Sequence, residues 1–172
     1  MFSDPAVNIA KFGISEGMKV ADLGAGSGFY SFEAARKVGK SGRVYAIDVQ
    51  KIILDRIRST GASQGLSNIE VLWGDIEKIG GTKLRDTLVD RVIASNVLFQ
   101  LNKPDEFCLE IKRILKPKGK VLVIDWSEAT PLSPSNVIPA TKAQLIFEKA
   151  GFKLESSFGA GEHHYGLIFL KS

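Results

Sequence analysis

A glycine-rich turn with an acidic residue just ahead of it is the first segment here whose residue types favour ligand binding. The segment VADLGAGSG covers 20–28, and Asp22 lies two residues before the first glycine. The turn itself contains Gly24, Ala25, Gly26 and Gly28. Glycine lets the backbone pass close to a ligand, whereas a dinucleotide fingerprint would need a further glycine where Phe29 stands. A carboxylate at Asp22 suits a cationic ligand better than a pyrophosphate.

Three more polar positions follow short apolar runs. Asp48 comes 20 residues after the last glycine of the turn, where a carboxylate can accept hydrogen bonds from both hydroxyls of a ribose. Asp75 and Ile76 end a third run, where an acid can accept from an adenine amino group and an aliphatic side chain can lie against the ring. Asn96 ends the fourth run.

The elements that must position these residues alternate between strand and helix. Apolar runs predict strands at 18–23, 42–48, 68–75, 89–96 and 120–126. Helices are predicted at 4–13, 29–39, 50–65, 105–119 and 140–150, the fourth of them stopped by Pro117 and Gly119. Such alternation predicts an α/β fold with a doubly wound, mostly parallel sheet. The last two strands, 152–158 and 165–171, leave no room for a crossover helix, so they predict a C-terminal antiparallel hairpin and seven strands in all.

The polar positions all fall at the carboxyl ends of predicted parallel strands. In an open α/β sheet those ends share one edge, and ligands bind in the crevice there. Asp48 or Asp75 alone is equally explained as a helix N-cap. Their convergence with the glycine turn and Asn96 favours a ligand site.

With these motifs in place, the sequence resembles the class I S-adenosylmethionine-dependent methyltransferases over about residues 5–172. The motifs occur in the family's order: VADLGAGSGFYS, VYAIDVQ, WGDIEK, VDRVIASNVLFQL and LKPKGKVLVIDW. Among subgroups it looks most like the quinone-biosynthesis and arsenite methyltransferase-like branch. The resemblance implies a Rossmann-like methyltransferase fold, one domain over 1–172, and S-adenosylmethionine as cofactor. It implies cofactor contacts at Asp22, Gly24, Ala25, Gly26, Gly28, Asp48, Val49, Asp75, Ile76 and Asn96.

By that similarity, Asp22 and the glycine turn would surround the methionine part of the cofactor. Asp48 would hold the ribose, Asp75 and Ile76 the adenine, and Asn96 would line the floor near the sulfonium. Because the cofactor already carries an activated methyl group, the enzyme needs mainly to align a nucleophile and exclude water.

A general base is needed only if the methyl acceptor is protonated at the working pH. Candidates near the expected edge are Asp125, Glu128, His163, His164 and Tyr165. The alternative for the two adjacent histidines is an exposed pair in the turn of the hairpin. No Cys/His/carboxylate set accompanies them, so no metal is predicted. Cys108 lies within an amphipathic helix and is expected in the core.

Composition sets the broad limits. The chain has 172 residues, one cysteine and a formal net charge of +4. A single cysteine forbids an intrachain disulfide and fits a reducing compartment. No apolar run approaches the roughly 18 residues that span a bilayer, and no signal peptide is evident, so a cytoplasmic protein is expected.

Several functions fit these features. In a small-molecule methyltransferase, an apolar pocket would be lined by Phe29, Tyr30, Phe99 and the loop 127–139. An RNA or protein methyltransferase would be favoured if a basic cluster surrounded the cleft. That cluster would consist of Lys11, Arg36, Lys37, Lys40 and Arg43. A catalytically inactive cofactor-binding subunit and a dinucleotide-dependent reductase are the remaining alternatives. The sequence leaves the methyl acceptor and the oligomeric state open.

Overall fold

The structure is a computed structural model that describes residues 3–172, so the first two residues of the expected domain lie outside it. Its strands are β1 (Lys19–Leu23), β2 (Arg43–Asp48), β3 (Ile69–Trp73), β4 (Val89–Ser95), β5 (Leu115–Trp126), β6 (Phe152–Gly159) and β7 (His164–Lys171). Its helices are α1 (Pro5–Phe12), α2 (Phe29–Val38), α3 (Lys51–Ser63), α4 (Pro104–Ile114) and α5 (Ala140–Lys149), and a 3₁₀ turn covers Leu98–Gln100.

All seven strands form one sheet in the order β3-β2-β1-β4-β5-β7-β6. The pairs β3–β2, β2–β1, β1–β4 and β4–β5 are parallel, and β7 is antiparallel to both β5 and β6. The predicted doubly wound sheet and its C-terminal antiparallel hairpin are therefore confirmed. Because the chain runs outward from β1 to β3 and then crosses to place β4 on the other side of β1, a crevice opens between the carboxyl ends of β1 and β4.

Helices cover both faces of the sheet. Residues of α1 and α2, such as Ile9, Phe12 and Val38, pack on one face against Val20 and Ile168. On the same face, α3 contributes Ile57 against Ala46 of β2. The opposite face is covered by α4 and α5, whose aromatic core includes Phe107 and Phe147. Burial on both faces explains why the central strands contain consecutive apolar residues, such as 92–94 in β4.

The fourth predicted helix was wrong at its end. It was expected to run to residue 119, but α4 ends at Ile114 and β5 begins at Leu115. Pro117 disfavours helical geometry at the preceding residue and supplies no N–H for the helix. The chain instead pairs Leu115 with Val89 and then shifts register before it pairs with Arg91. Lys118, at a φ of 62°, provides the local reversal that this irregularity requires.

The loop between β3 and β4 is held by a buried acid from α4. Glu110 is fully buried and accepts hydrogen bonds from the backbone N–H groups of Gly80 and Thr82 and from the hydroxyl of Thr82. Arg113 donates to the same carboxylate. This network lowers the pKa of Glu110 although burial opposes it, and it fixes the segment that follows Asp75. Within residues 3–172, no helix has the length and apolar character needed to cross a membrane.

Candidate functional site

A cavity of about 770 Å³ opens at the carboxyl ends of the central parallel strands. Nearly every residue predicted to bind a ligand lines it: Asp22, Gly24, Ala25, Gly26, Asp48, Val49, Asp75, Ile76 and Asn96. Gly28 does not. Further lining comes from Ser3, Pro5, Phe29, Tyr30, Gln50, Ile53, Glu77, Gln100, Leu101, Trp126, Leu132 and His164, among others. The volume falls within the range of about 300–1,000 Å³ that is typical of small-molecule sites.

The cavity has two sides, which differ in how they are built. We call the region of Asp22, the glycine turn 24–28, Asp48 and Asp75 the glycine side. The region of Asn96, Trp126 and His164 is the histidine side. The glycine side follows β1, β2 and β3, and the histidine side combines the ends of β4 and β5 with the start of β7.

The glycine turn is shaped so that no side chain fits at its first residue. Gly24 has a φ of +70°, and a Cβ there would lie 2.6 Å from a methyl group of Val97. Gly28 plays a different part, because it has a φ of +82° and begins α2 without lining the cavity. A Cβ on Gly28 would lie 2.9 Å from Ile57. Gly28 therefore lets α2 pack on α3, while Gly24 leaves bare backbone facing the cavity.

Asp48 ties the end of β2 to the glycine turn. Its Oδ2 accepts the backbone N–H of Gly26 at 3.2 Å, and its Oδ1 accepts that of Gln50 at 3.0 Å. Each carboxylate oxygen keeps a further lone pair. Asp48 can therefore accept two more hydrogen bonds, one on each oxygen, from a diol in the cavity.

Asp22 is a buried carboxyl group, only 2% exposed, beneath the glycine turn. Burial raises its pKa to about 6, and the hydrogen bond from the Ser31 hydroxyl, at 2.6 Å, opposes that rise. Asp48 adds a smaller like-charge contribution in the same direction as burial. At neutral pH a carboxylate of this kind favours a cation within the cavity. Ser31 was not predicted, although it lies one helical turn into α2 and could have been found from that position.

Asp75 and Ile76 stand at the end of β3. The Asp75 carboxylate accepts the N–H of Glu77 at 2.9 Å, and its own N–H donates to the carbonyl of Gly81 at 3.1 Å. The Cδ1 of Ile76 would lie 3.7 Å from a Cβ built on Gly24, so this aliphatic side chain borders the glycine turn. The pair offers an acceptor oxygen and an apolar surface, which together suit a flat polar ring.

On the histidine side, three residues from distant parts of the chain meet. His164 lies directly opposite Trp126 in the β5–β7 pairing, and the two ring centroids are 4.4 Å apart. Its Nε2 lies 3.1 Å from Oδ1 of Asn96, and its Nδ1 lies 3.1 Å from the carbonyl oxygen of Glu162. His164 is 4% exposed, so the alternative of an exposed turn residue does not hold for it.

The other candidate bases do not line the cavity. Asp125 is fully buried and accepts the N–H groups of Leu98 and Trp126, at 3.0 and 2.9 Å. Burial raises its pKa. Tyr165 donates its hydroxyl to the carbonyl of Ile138 at 2.8 Å, and burial raises its pKa as well. These two side chains are occupied in holding the fold around the cavity.

Glu128 and His163 pair with each other at 2.9 Å on the outer surface of the hairpin turn. Both lie outside the cavity lining. Within residues 3–172 no group of three His, Cys, Asp or Glu side chains is arranged to hold a metal ion. Cys108 is buried among the residues of α4, and burial raises its pKa to about 12.

Sequence reasoning missed two walls of the cavity. Ser3 and Pro5, at the start of α1, close one wall through a hydrogen-bonded group in which the Ser3 hydroxyl and Asn8 amide reach the hydroxyl of Tyr30. The 3₁₀ turn after Asn96 supplies Gln100, whose amide donates to the Asn96 carbonyl. Of the expected apolar wall, Phe29, Tyr30 and Leu132 of the loop 127–139 line the cavity, whereas Phe99 does not.

Comparisons with known proteins agree on one family. The family model for the methyltransferase domain matches residues 14–158. A ubiquinone/menaquinone biosynthesis C-methyltransferase from Bordetella avium is 29% identical over 155 residues, which is 86% of this chain and 59% of that protein. An arsenite methyltransferase from Halobacterium salinarum is 30% identical over 118 residues, 69% of this chain and 29% of that protein. The chain therefore spans less than two thirds of the curated relatives it matches.

Among solved structures, an S-adenosylmethionine-dependent methyltransferase from Aquifex aeolicus is similar over almost the whole chain. It is 33% identical with a TM-score of 0.91, and the match covers 99% of this chain and 91% of that one. At this similarity the two chains share one fold over nearly their whole length.

Proposed function

This chain belongs to the class I S-adenosylmethionine-dependent methyltransferase family, and on that premise we propose that it transfers a methyl group to a small-molecule acceptor. We propose further that residues 1–172 act as one catalytic domain. The observation that carries the proposal is the convergence of the glycine turn, Asp48, Asp75 and Asn96 on one cavity. The cofactor of the family is S-adenosylmethionine, so the first question is whether these residues fit it.

The residues of the glycine side fit the three parts of this cofactor. The buried Asp22 offers a negative charge to the amino group of the methionine part. Asp48 retains one lone pair on each oxygen for the two ribose hydroxyls, while Gly26 and Gln50 hold it in place. Asp75 and Ile76 offer an acceptor and an apolar face to the adenine. Gly24 lets the backbone of the turn lie close against Val97, where a Cβ would not fit.

When bound, S-adenosylmethionine supplies a sulfonium methyl group that is already electrophilic. The chain's own task is therefore to orient an acceptor and to exclude water. Trp126, Tyr30 and Leu132 provide apolar walls on the histidine side, and Ser3 and Pro5 close the cavity from the N-terminal segment. Asn96 provides the polar group at the junction of the two sides.

The position of the basic residues supports a small acceptor over RNA or a protein. The helix α2 begins at the cavity and runs away from it, so Lys37 in its last turn lies toward the opposite edge of the sheet. Arg43 is the first residue of β2 and lies at that opposite edge as well. Arg36 reaches a groove beside the cavity, which Ser3 and Phe29 also line. A polyanion in the cleft would therefore gain little from Lys37 and Arg43.

The burial of the single cysteine, Cys108, argues against arsenite as the methyl acceptor. Arsenite binds soft thiolate ligands, but Cys108 is buried in α4 and burial raises its pKa to about 12. A carbon, oxygen or nitrogen acceptor therefore fits this cavity better than arsenic. A single free cysteine also suits a reducing compartment, and we place the reaction in the cytoplasm.

The experiment is a transfer assay with S-adenosylmethionine labelled in its methyl group. Acceptors are offered as separate pools of phenols and hydroquinones, small amines, arsenite, total RNA and denatured protein. We expect label in a small organic product, in the wild type and in Asp55→Ala, an exposed site on α3, but not in Asp48→Ala. Label in RNA or protein would overturn the proposed acceptor class. Tight binding of S-adenosylhomocysteine without transfer to any pool would favour an inactive subunit.

A further inference from the structure

His164 and Asn96 form a hydrogen-bonded pair that the cofactor contacts do not explain. Asn96 has a φ of 56°, its N–H donates to the carbonyl of Ile124, and its own carbonyl accepts from Gln100. The backbone of Asn96 is thus held on both sides, and only its side-chain amide is free to rotate. That amide lines the cavity and contacts His164.

The hydrogen-bond partners of His164 restrict which of its ring nitrogens carries a proton. Its Nδ1 lies 3.1 Å from the carbonyl oxygen of Glu162, which can only accept, so Nδ1 carries a proton. Its Nε2 lies 3.1 Å from Oδ1 of Asn96, which also only accepts. This orientation of the Asn96 amide is therefore satisfied only when both ring nitrogens of His164 carry protons. The Nδ2 of Asn96 makes no hydrogen bond with another group of residues 3–172, so it remains for a ligand.

A neutral His164 requires the opposite amide orientation. With one proton on Nδ1, its Nε2 becomes an acceptor, and Asn96 must turn its Nδ2 toward the ring. The Oδ1 of Asn96 is then the group that remains for a ligand. The pair therefore has two hydrogen-bonded states, which present either a donor or an acceptor to the cavity.

Titratable groups approach His164 from two strands and from the turn between them. On β5, the buried Asp125 interacts electrostatically with His164, and that interaction lowers the pKa of Asp125 against the larger effect of burial. Trp126 on the same strand covers the ring and carries no charge. On the outer side of the turn, Glu128 and Glu162 face His163 rather than His164. Tyr165, the next residue of β7, stays neutral because burial raises its pKa.

We propose that His164 is a positioning residue which determines, through Asn96, the hydrogen-bonding group offered to the methyl acceptor, and that the productive state offers the Nδ2 donor. That donor fits an acceptor that carries an ionised or carbonyl oxygen beside the methylated atom. An acceptor that arrives ionised also needs no base, which agrees with the position of Asp125, Glu128, His163 and Tyr165 outside the cavity lining. The inference rests on the proposed function for its acceptor, but the two states of the pair can be tested without any methyl transfer.

The first test follows the side-chain amide protons of Asn96 by NMR as pH is raised through the titration of His164. We expect the Asn96 signals and the ring nitrogens of His164 to change together, with the same midpoint. His163→Gln, at the neighbouring half-buried position outside the cavity lining, should leave this change intact, and His164→Gln should abolish it. Asn96 signals that stay constant while His164 titrates, or that still shift with pH in His164→Gln, would overturn the proposed coupling between the two side chains.

The second test uses 4-nitrophenol, whose ionised form is visible by absorbance, with protein saturated by S-adenosylhomocysteine. The wild type should favour the bound phenolate at low pH and lose this preference as His164 loses its proton. His164→Gln can offer either a donor or an acceptor to Asn96 and does not titrate, so its preference should become independent of pH. His164→Phe keeps the ring against Trp126 but frees the amide, and should weaken phenolate binding about tenfold. No preference for phenolate in the wild type, or equal binding in His164→Phe, would overturn the donor assignment.

Discussion

The glycine side and the histidine side of the cavity are built over very different distances along the chain. On the glycine side, Asp48 holds Gln50, two residues away, and Asp75 holds Glu77. On the histidine side, Asn96 and His164 are 68 residues apart and meet only because β7 returns beside β5. The residues proposed to hold the cofactor are therefore fixed by contacts nearer in sequence, such as that of Asp48 with Gly26, 22 residues away, whereas long-range packing fixes the residues proposed to face the acceptor. Each prediction below changes one side and measures whether the other responds.

The largest effect is expected for Asp48→Ala on the glycine side. The change removes two acceptor oxygens for the ribose and also releases the N–H of Gly26. Because hydrogen bonds to a charged group contribute about 1.5–3 kcal/mol each, the Kd for S-adenosylhomocysteine should rise roughly a hundredfold or more. Isothermal titration calorimetry measures it, with Asp55→Ala on the exposed face of α3 as the matched control. An unchanged Kd would remove Asp48 from the cofactor site.

The converse change on the histidine side is Trp126→Ala. It removes the ring that covers His164 and an apolar wall of the cavity. We expect kcat/KM for the acceptor to fall by about ten- to a hundredfold, while the Kd of S-adenosylhomocysteine stays within about twofold. Trp126→Phe, which keeps an aromatic ring against His164, should recover most of the activity. A loss of cofactor affinity as large as that of Asp48→Ala would show that the two sides are not separable.

A smaller effect on the glycine side depends on pH. Burial raises the pKa of Asp22 from 3.8 to about 6, so the carboxylate is present above that pH and is lost as pH falls through it. Affinity for S-adenosylhomocysteine, whose amino group is cationic, should fall by up to about tenfold per pH unit below pH 6. Calorimetry of the wild type and of Asp22→Asn tests this, and the variant should bind more weakly with a flat profile. A wild-type profile as flat as that of Asp22→Asn would contradict the assignment.

The same pKa shift has the opposite sign for folding. The native state binds the Asp22 proton more tightly than the unfolded chain does, so this group's contribution to stability is full below pH 3.8 and declines as pH rises through 6. Acid should therefore weaken cofactor binding while the Asp22 contribution to the free energy of unfolding increases. Thermal unfolding of the wild type against Asp22→Asn separates this contribution from those of other carboxyl groups.

The smallest effect concerns the basic residues that lie on neither side of the cavity. Lys37 and Lys40 are exposed at the end of α2 and in the turn beyond it. Replacing both by Glu reverses two charges, but it should change methyl transfer to a small acceptor by less than about twofold, because exposed charges at that distance are screened. Two results would support a polyanionic substrate instead. One is a large loss of transfer to the small acceptor in the double variant, and the other is wild-type activity on RNA that the double variant lacks.

The sequence predicted the glycine side because each of its residues follows a recognisable apolar run. Asp48 ends β2 and Asp75 comes two residues after the end of β3, and parallel strands must bring their carboxyl ends to one edge. The predicted helix ran past the end of α4, at Ile114, because the amphipathic pattern continues through Leu115. Pro117 disfavours a helix just beyond that point. Local periodicity cannot show that Leu115 pairs with Val89.

The histidine side could be predicted only in part. His164 was one of five candidates near the edge, and nothing local distinguished it from its neighbour His163. Only the pairing of β5 with β7 sends His164 inward onto Trp126 and leaves His163 outside with Glu128. The contact of Ser3 with Tyr30 depends likewise on the way α1 packs against α2. Such contacts join distant parts of the chain, and the residue types alone do not specify them.

The most direct measurement is a crystal structure of the protein with S-adenosylhomocysteine bound. The account predicts the ribose hydroxyls on Asp48, the adenine beside Asp75 and Ile76, and the amino group toward Asp22. The sulfur should face Asn96, with Trp126 and His164 beyond it on the side left for the acceptor. A ligand whose ribose lies away from Asp48, or whose sulfur points away from the histidine side, would contradict the division of the cavity on which the account depends.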